Sequence, residues 1–370
     1  MESIWINNIK YNLQNFSNNK EEINNLNAFE RKVISFILDW KQGKSRFNFQ
    51  TSGTTGQLKS LTLSRNQMIV SARMTMEYLA IHEGGTLLLC LEPKYIAGAM
   101  MLVRAIICNC DLHAFSPSSN PIDKLSDTTH ISMAAFVPMQ INEMLSIPDS
   151  AYKLKKIEHI LIGGAPLTDK TLNKIQSFDC NMYLTFGMTE TVSHFAIRKL
   201  NGIDRSEYFN VLKGIDISTD DRGCLTVAGP ITNNRTIITN DLVEIIEYNK
   251  FRWMGRIDHI INSGGIKINI DLLESKIRDI FISVEISNDF YLEGVEDSRL
   301  GKKLIMIFEI GKSDKSMLRK IKLLFSQLSK YEKPKDIRII EKFFLTKTGK
   351  IDRIKSLKFS TSGISFLSNV

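Results

Sequence analysis

The sequence predicts an α/β protein. A large N-terminal doubly wound α/β domain with a mostly-β subdomain precedes a small C-terminal α+β domain. Three observations predict this. Between residues 86 and 187, short apolar runs of strand length alternate with segments of helical period, the pattern of parallel βαβ units. From about Arg222 to Trp253 the pattern is mostly strand. After Asp271, helices and strands alternate again over a shorter stretch. A length of 370 residues suits two domains.

The elements follow in chain order. Residues 1–24 are polar and Asn-rich and read as an irregular arm. From Leu26 to Trp40, the residues Phe29, Val33, Ile34, Ile37 and Leu38 recur at helical spacing. Phe47–Gln50 is extended, and Asn66–Leu79 reads as a helix. Thr86–Leu91 is a continuous apolar run, which suits a strand covered on both faces. Ala97–Cys108 is a helix and Asp111–Phe115 a strand. His130–Val137 is a strand, Gln140–Leu145 a helix, and His159–Ile162 a strand ending in Gly163-Gly164. Leu167–Gln176 is a helix, and Asn181–Thr185 a strand ending at Phe186-Gly187. Asp271–Phe281 and Lys315–Leu328 are helices, and Asp336–Ile340 is a strand. The longest apolar stretch, Tyr95–Cys108, is interrupted by Arg104 and is too short to span a bilayer.

Composition narrows the function classes. Hydrophobic residues make up 43% and charged residues 24%, ordinary for a soluble protein with a core. The formal net charge is +8, and from Asp258 onward 21 Lys and Arg face 15 Asp and Glu. That surplus attracts anions such as ATP or a phosphorylated thiol carrier, or is simply a solvated surface. Basic residues alternate with acidic ones and form no dense stripe, which argues against nucleic acid. The five cysteines form no Cys-x-x-Cys pair, and reduced thiols in a cytoplasmic protein are expected. No basic-then-apolar leader opens the chain, and no stable membrane insertion is expected.

The chemistry concentrates in a few segments. Thr51, Ser52, Gly53, Thr54, Thr55 and Gly56 lead to Lys59 straight after the extended run. Glycines let a backbone approach closely, and hydroxyls and N–H groups donate to oxyanions, so such a loop suits a polyphosphate. Its spacing, Gly-x-x-Gly-x-x-Lys, is not that of the Walker loop. Gly163-Gly164-Ala165 and Phe186-Gly187-Met188-Thr189-Glu190 follow other strands, and open α/β sheets bind ligands at the C-terminal strand ends. Glu190 beside phosphates suits Mg²⁺, or else caps a following helix. Asp241 lies between strand-like residues, where a carboxylate accepts ribose hydroxyls or makes a turn. Arg256 and Asp258 precede Ser263-Gly264-Gly265, and a basic loop carries Lys350.

Taken in this order, these segments resemble the acyl-adenylate-forming family. The similar stretches are Thr51–Lys59, Gly163–Leu167, Phe186–Glu190, Thr239–Val243, Gly255–Lys267 and Thr348–Arg353. The resemblance implies that Thr51, Ser52, Gly53, Thr54, Thr55, Gly56 and Lys59 hold the ATP β- and γ-phosphates. It implies that Gly163, Gly164 and Ala165 line the adenine and acyl sites. Phe186, a tyrosine in most members, would stack near adenine beside Gly187. Thr189 would contact the α-phosphate, Glu190 the Mg²⁺, and Asp241 with Arg256 the ribose. Asp258 would be the hinge between an ATP- and acyl-binding domain, 1–257, and a small mobile domain, 258–370. That small domain would carry Lys350, which bridges carboxylate and α-phosphate during adenylation, and Ser263-Gly264-Gly265, which serves the thiol site. Asn240 replaces a usual glycine and His259 a usual acidic residue, and Thr346-Lys347-Thr348 lacks the usual proline and arginine. The phosphate loop begins early, so much of the first subdomain is expected to be absent.

The implied reaction forms an acyl-AMP from a carboxylic acid and ATP, then a thioester with coenzyme A. Within the family, the wording of 92–101 and 191–198 is most similar to o-succinylbenzoate–CoA ligases of menaquinone biosynthesis. Lys94, His194 and Arg198 are candidate partners for that substrate's second carboxylate. Another acid, a carrier-protein acceptor and a non-catalytic nucleotide-binding protein stay open as alternatives. Oligomeric state is not legible.

Overall fold

The computed structural model describes residues 2–16, 23–51, 59–164, 167–286, 288–310, 315–346 and 351–365. Two compact units emerge. One comprises Met1–Asp220, Thr226–Thr239 and Ile245–Arg252; the other comprises Asp221–Leu225, Asn240–Glu244 and Trp253–Val370.

The first unit is built on parallel strands in the order Asn181–Met188, Ile157–Ile162, Ile131–Phe136, Thr86–Leu89, Asp111–Ala114 and Ser3–Ile6. Leu87, Leu88, Leu89, Ile160 and Ile162 are buried, as expected for strands covered on both faces. Chain order reverses between Thr86–Leu89 and Ile131–Phe136, which pair at Leu87↔Met133 and Leu88↔Ala134. Such a reversal opens a crevice at the C-terminal strand ends. The helix Ile96–Ile107 follows one of those ends, and its Gly98 is required for packing. A Cβ there would lie 2.5 Å from the Glu92 carbonyl oxygen. The helix Arg65–Tyr78 starts on a reciprocal cap, in which Ser64 Oγ accepts from Gln67 N at 3.2 Å and Gln67 Oε1 accepts from Ser64 N at 3.1 Å.

Two expectations need correction. The N-terminal residues are not an irregular arm. Ser3–Ile6 runs parallel to Asp111–Ala114, with Trp5 opposite His113, and antiparallel to Ile9–Asn12. Only Ile4 and Ile6 are buried in that first strand, so the apolar signal is too short to stand out among asparagines. Those asparagines have a use: Asn7 and Asn8 make the connecting turn at φ of 50° and 66°. Nor does the strand from Asn181 stop at Phe186-Gly187. It continues to Met188 and pairs antiparallel with Ser193–Lys199. Gly187 is the position that permits this, because a Cβ there would lie 2.1 Å from the Ser193 carbonyl oxygen.

The second unit is α+β. Phe290–Asp297 and Gly301–Glu309 pair antiparallel, Asp336–Ile340 joins parallel at Ile305↔Asp336, and Thr361–Ser365 closes antiparallel. The helices Ile270–Ser283 and Lys315–Leu324 supply Ile277, Phe281, Leu318 and Ile321 to a core with Phe290, Met306, Phe308 and Ile337. The short helix Arg353–Phe359 and its following strand carry no sequence pattern that announced them. Among the described residues no helix is long and apolar enough to cross a membrane.

Candidate functional site

In the first unit, the strand Asn181–Met188 hands over to a tight turn that carries Thr189 and the exposed Glu190 at its tip. Thr191 is fully buried beneath it. Its Oγ1 accepts from Met188 N at 3.0 Å and lies 2.9 Å from the Ser193 carbonyl oxygen. Val192 and Ser193 take φ of 52° and 80°. A β-branched residue at such a φ is strained and persists only where its surroundings hold it. The holding group is Ser71 of the helix Arg65–Tyr78, whose Oγ donates to the Val192 carbonyl at 2.7 Å.

One helical turn on, Thr75 sits at the centre of a buried polar chain. Its hydroxyl lies 2.9 Å from His194 Nε2, 3.3 Å from Arg104 Nη2 and 3.2 Å from the Ser71 carbonyl. A hydroxyl has one proton and two lone pairs. Donation to the Ser71 carbonyl leaves it to accept from Arg104 and from His194 Nε2–H, which places a proton on Nε2. Burial and then the Arg104 charge hold His194 well below its ordinary pKa, in agreement with that tautomer.

Arg104, on the helix Ile96–Ile107, is a buried charge that sequence reasoning passed over. Its side chain is 2% exposed, burial pulls its pKa down to about 10, and its Nε has no hydrogen-bond partner. Among the described residues no carboxylate pairs with it. An unpaired charge in an interior is strongly unfavourable. The signal was visible as the one charge breaking the apolar run Tyr95–Cys108. Of the residues singled out for this role, His194 belongs to this buried chain, and the other two sit differently. Lys94 is exposed with its Nζ 5.0 Å over the Tyr95 ring, and Arg198 is half-buried with its guanidinium 5.5 Å over Phe209.

The remaining first-unit positions follow the strand ends. Arg46–Thr51 and Lys59–Ser64 form a hairpin whose last pair is Thr51↔Lys59. Ser52, Gly53, Thr54, Thr55 and Gly56 lie outside the described residues, as do the side chains of Thr51 and Lys59, and Ala165. Gly163 N donates to the Phe136 carbonyl at 3.0 Å, and Gly164 takes φ of 89°. Phe186 meets Phe195, Phe209 and Phe251 edge-on at 5.8, 5.2 and 5.2 Å. Glu190 offers Mg²⁺ one hard oxygen donor, which suits an ion that otherwise takes water and substrate phosphates. No group of three or more metal-ligating residues occurs among the described residues.

The second unit holds a separate cluster. Asp241 is buried within the strand Ile237–Glu247. Its Oδ1 accepts from Trp253 Nε1 at 3.0 Å, and its Oδ2 lies 3.7 Å from Arg256 Nη1. Burial pushes the Asp241 carboxyl up, against the pull of the Trp253 hydrogen bond and the Arg256 charge. Arg256 also grips Asp258 through Nε and Nη2, at 2.9 and 2.8 Å. Burial works against Asp258, yet that grip holds its carboxyl below the ordinary value. Asp271 staples this segment, accepting from Arg256 N at 2.8 Å and meeting His259 Nδ1 at 2.9 Å. Gly264 and Gly265, with φ of 60° and 86°, form the two-residue turn between Ile260–Ser263 and Ile266–Asn269, as type I′ geometry requires. Lys350 lies outside the described residues. Arg319, Lys322, Lys330, Lys333 and Lys335 line an open pocket of about 710 Å³.

His259 gives a pH prediction. The hydrogen bond to Asp271 raises its pKa above the ordinary 6.5. Its pairing therefore stabilises the fold fully below about pH 6.5 and fades as pH rises through the raised value. Thermal melts of His259→Gln against the parent chain should differ at pH 5.5 and converge by pH 9. A constant difference across that range would contradict the pairing.

Comparison with known proteins adds four findings. A family model described as AMP-binding enzyme matches residues 47–241. A 2-succinylbenzoate–CoA ligase of Staphylococcus aureus is 26% identical over 330 residues, covering 82% of this chain and 65% of its own length. Among solved structures, an acyl-CoA synthetase (AMP-forming)/AMP-acid ligase II-like protein from Dyadobacter fermentans shares 36% identity with a TM-score of 0.61, over 90% of this chain and 94% of that one. An o-succinylbenzoate CoA synthetase from Bacillus subtilis, solved with its acyl-adenylate intermediate, is 21% identical with a TM-score of 0.69, over 86% and 69%; that likeness is one of fold.

Proposed function

This chain belongs to the AMP-binding enzyme family, and from that premise we propose that it is an ATP-dependent acid–CoA ligase whose acid bears a second anionic group. The acid that fits is o-succinylbenzoate, the substrate class named for its curated relative. The observation that carries this reading is Arg104. A fully buried guanidinium with an unpartnered Nε, beside a His194 held neutral, supports a substrate carboxylate as its partner.

The chemistry divides into two halves. The substrate's reacting carboxylate is ionised near neutral pH and needs no general base. Its oxygen attacks the α-phosphorus of ATP, an O–P bond forms, and the bond to pyrophosphate breaks. Charge accumulates on phosphate oxygens, so fixed cations and N–H groups do the catalytic work. Lys59 and the 51–56 loop act on the β- and γ-phosphates, Thr189 and Lys350 on the α-phosphate, and Asp241 and Arg256 on the ribose. Glu190 would hold Mg²⁺, which supplies charge neutralisation on the phosphates when bound. The thiol of coenzyme A then attacks the acyl carbon, a C–S bond forms, and AMP leaves. The basic pocket of the second unit supports a phosphate-bearing thiol donor, with a carrier-protein arm as the runner-up.

The test is product identification. The chain, ATP, coenzyme A and a mixed pool of aryl and alkyl acids should yield o-succinylbenzoyl-CoA as the dominant thioester by mass spectrometry. A product drawn only from monocarboxylic acids would overturn the assignment of the acid.

A further inference from the structure

We propose that Trp253 selects the nucleotide sugar: its indole N–H fixes Asp241 as the ionised acceptor of a ribose diol. This rests on the reading of Asp241 as the ribose residue. Asp241 is 9% exposed, and burial favours its protonated form. A protonated carboxyl is a poor partner for two hydroxyl donors, so something must hold it ionised and fix its plane. Two groups face it. Arg256 is the more distant, at 3.7 Å, and its guanidinium is already committed to Asp258 by two short hydrogen bonds. Trp253 makes the direct contact, at 3.0 Å.

An indole N–H gives a hydrogen bond and takes none. It therefore favours the charged carboxylate and keeps it purely an acceptor. The ring is itself held in place. Trp253 lies on the strand Lys250–Arg256, and the next residue's carbonyl, that of Met254, accepts from Asn269 Nδ2 at 2.9 Å. Gly255 follows at φ of 104°, and a Cβ there would come within 2.9 Å of Asn269. The indole is thus aimed at Asp241 by a backbone that has little freedom to turn. A site built to bond both ribose hydroxyls rejects a sugar lacking one of them, and that rejection depends on a charged, oriented acceptor.

Trp253→Phe keeps the ring and removes the donor. In pyrophosphate-release assays across pH, with ATP and 2′-deoxyATP compared, the variant should show KM for ATP raised about tenfold with kcat nearly unchanged. The preference for ATP over 2′-deoxyATP should shrink by a similar factor. The acid limb of the profile should move to higher pH, because losing a donor to the ionised form raises the carboxyl pKa. A purely structural role would lower the melting temperature and leave the sugar preference and the acid limb where they were. That result overturns the inference and leaves the ligase reading intact.

A second measurement keeps the indole in place. In a Trp5→Phe, Trp40→Phe chain, Trp253 is the sole tryptophan. Titration with AMP should change its emission, and saturable AMP binding without a change would also overturn the proposal. A parent chain that neither binds adenine nucleotides nor releases pyrophosphate with any acid overturns the ligase reading itself.

Discussion

Replacing Lys350 with alanine is expected to suppress acyl-adenylate formation by about 10³-fold or more, while thioester formation from supplied acyl-adenylate and coenzyme A stays within about threefold of the parent. The first half-reaction concentrates negative charge on the α-phosphate and the attacking carboxylate together, so a cation bridging them acts only there. The second half-reaction expels AMP from an existing mixed anhydride, and its demands fall on the thiol. The flanks of the lysine segment are independently anchored. Leu345 pairs with Ile351, and Asp352 N donates to the Phe344 carbonyl at 2.8 Å. Arg353 grips Glu274 at 3.1 and 3.2 Å, and the Tyr291 hydroxyl donates to the Arg353 carbonyl at 2.8 Å. Truncating one side chain between such anchors should leave the second unit folded. Pyrophosphate release and chromatographic thioester formation separate the two steps, and an equal fall in both would refute the division of labour.

The second large effect is expected at Arg104. Arg104→Met keeps much of the side-chain volume and removes the charge. The specificity constant for o-succinylbenzoate should fall by about 10²–10³-fold, the loss typical when one partner of a buried charged pair is removed. Aryl acids with a single carboxyl should change by less than about threefold, since they leave the cation's place empty in either protein. At the same time the ligand-free variant should melt higher than its parent, because an uncompensated interior charge has been exchanged for an apolar chain. These opposite signs make the test sharp. A variant that loses all acids equally, or that melts lower, would show that Arg104 serves the core and not the substrate. Arg104→Lys should recover part of the preference, with the shortfall reflecting the lost fork geometry.

Much of the architecture was legible because it rests on local periodicity. The strand Thr86–Leu89 is a continuous apolar run, Ile131–Phe136 is broken only by Ser132, Ile157–Ile162 ends in one after Glu158 and His159, and the helices Ala28–Lys41 and Arg65–Tyr78 fall close to where the spacing places them. What escaped depended on pairing across distance. Ser3–Ile6 earns its place only beside Asp111–Ala114, a neighbour no local pattern names. The turn after Met188 was legible as glycine, hydroxyl and carboxylate, but not as a hairpin, because the partner strand begins with the unlikely pair Val192 and Ser193 at positive φ.

The site followed the same division. Motif spacing pointed to Glu190, Asp241 and Arg256. The contacts that define their surroundings cross between elements: Ser71 with Val192, Thr75 with His194 and Arg104, and, over 12 residues, Trp253 with Asp241. For the acid's second carboxylate, sequence reasoning favoured Lys94 after the strand at 86–91, with His194 and Arg198 after the glutamate motif. An arginine inside an apolar helix carries the stronger physical case, since an exposed lysine loses little without a partner and a buried guanidinium loses a great deal.

The left-handed backbone at Val192 also bears on how this enzyme can change over generations. Glycine at that position would relieve the torsion but leave a cavity where a fully buried side chain now sits, and the cavity outweighs the torsion, so the folded chain would melt lower. It would also let the Thr189–Glu190 tip wander, since the backbone beside that turn would gain freedom. Drift at this one residue is therefore opposed twice over, by the interior its side chain fills and by the turn its backbone sets.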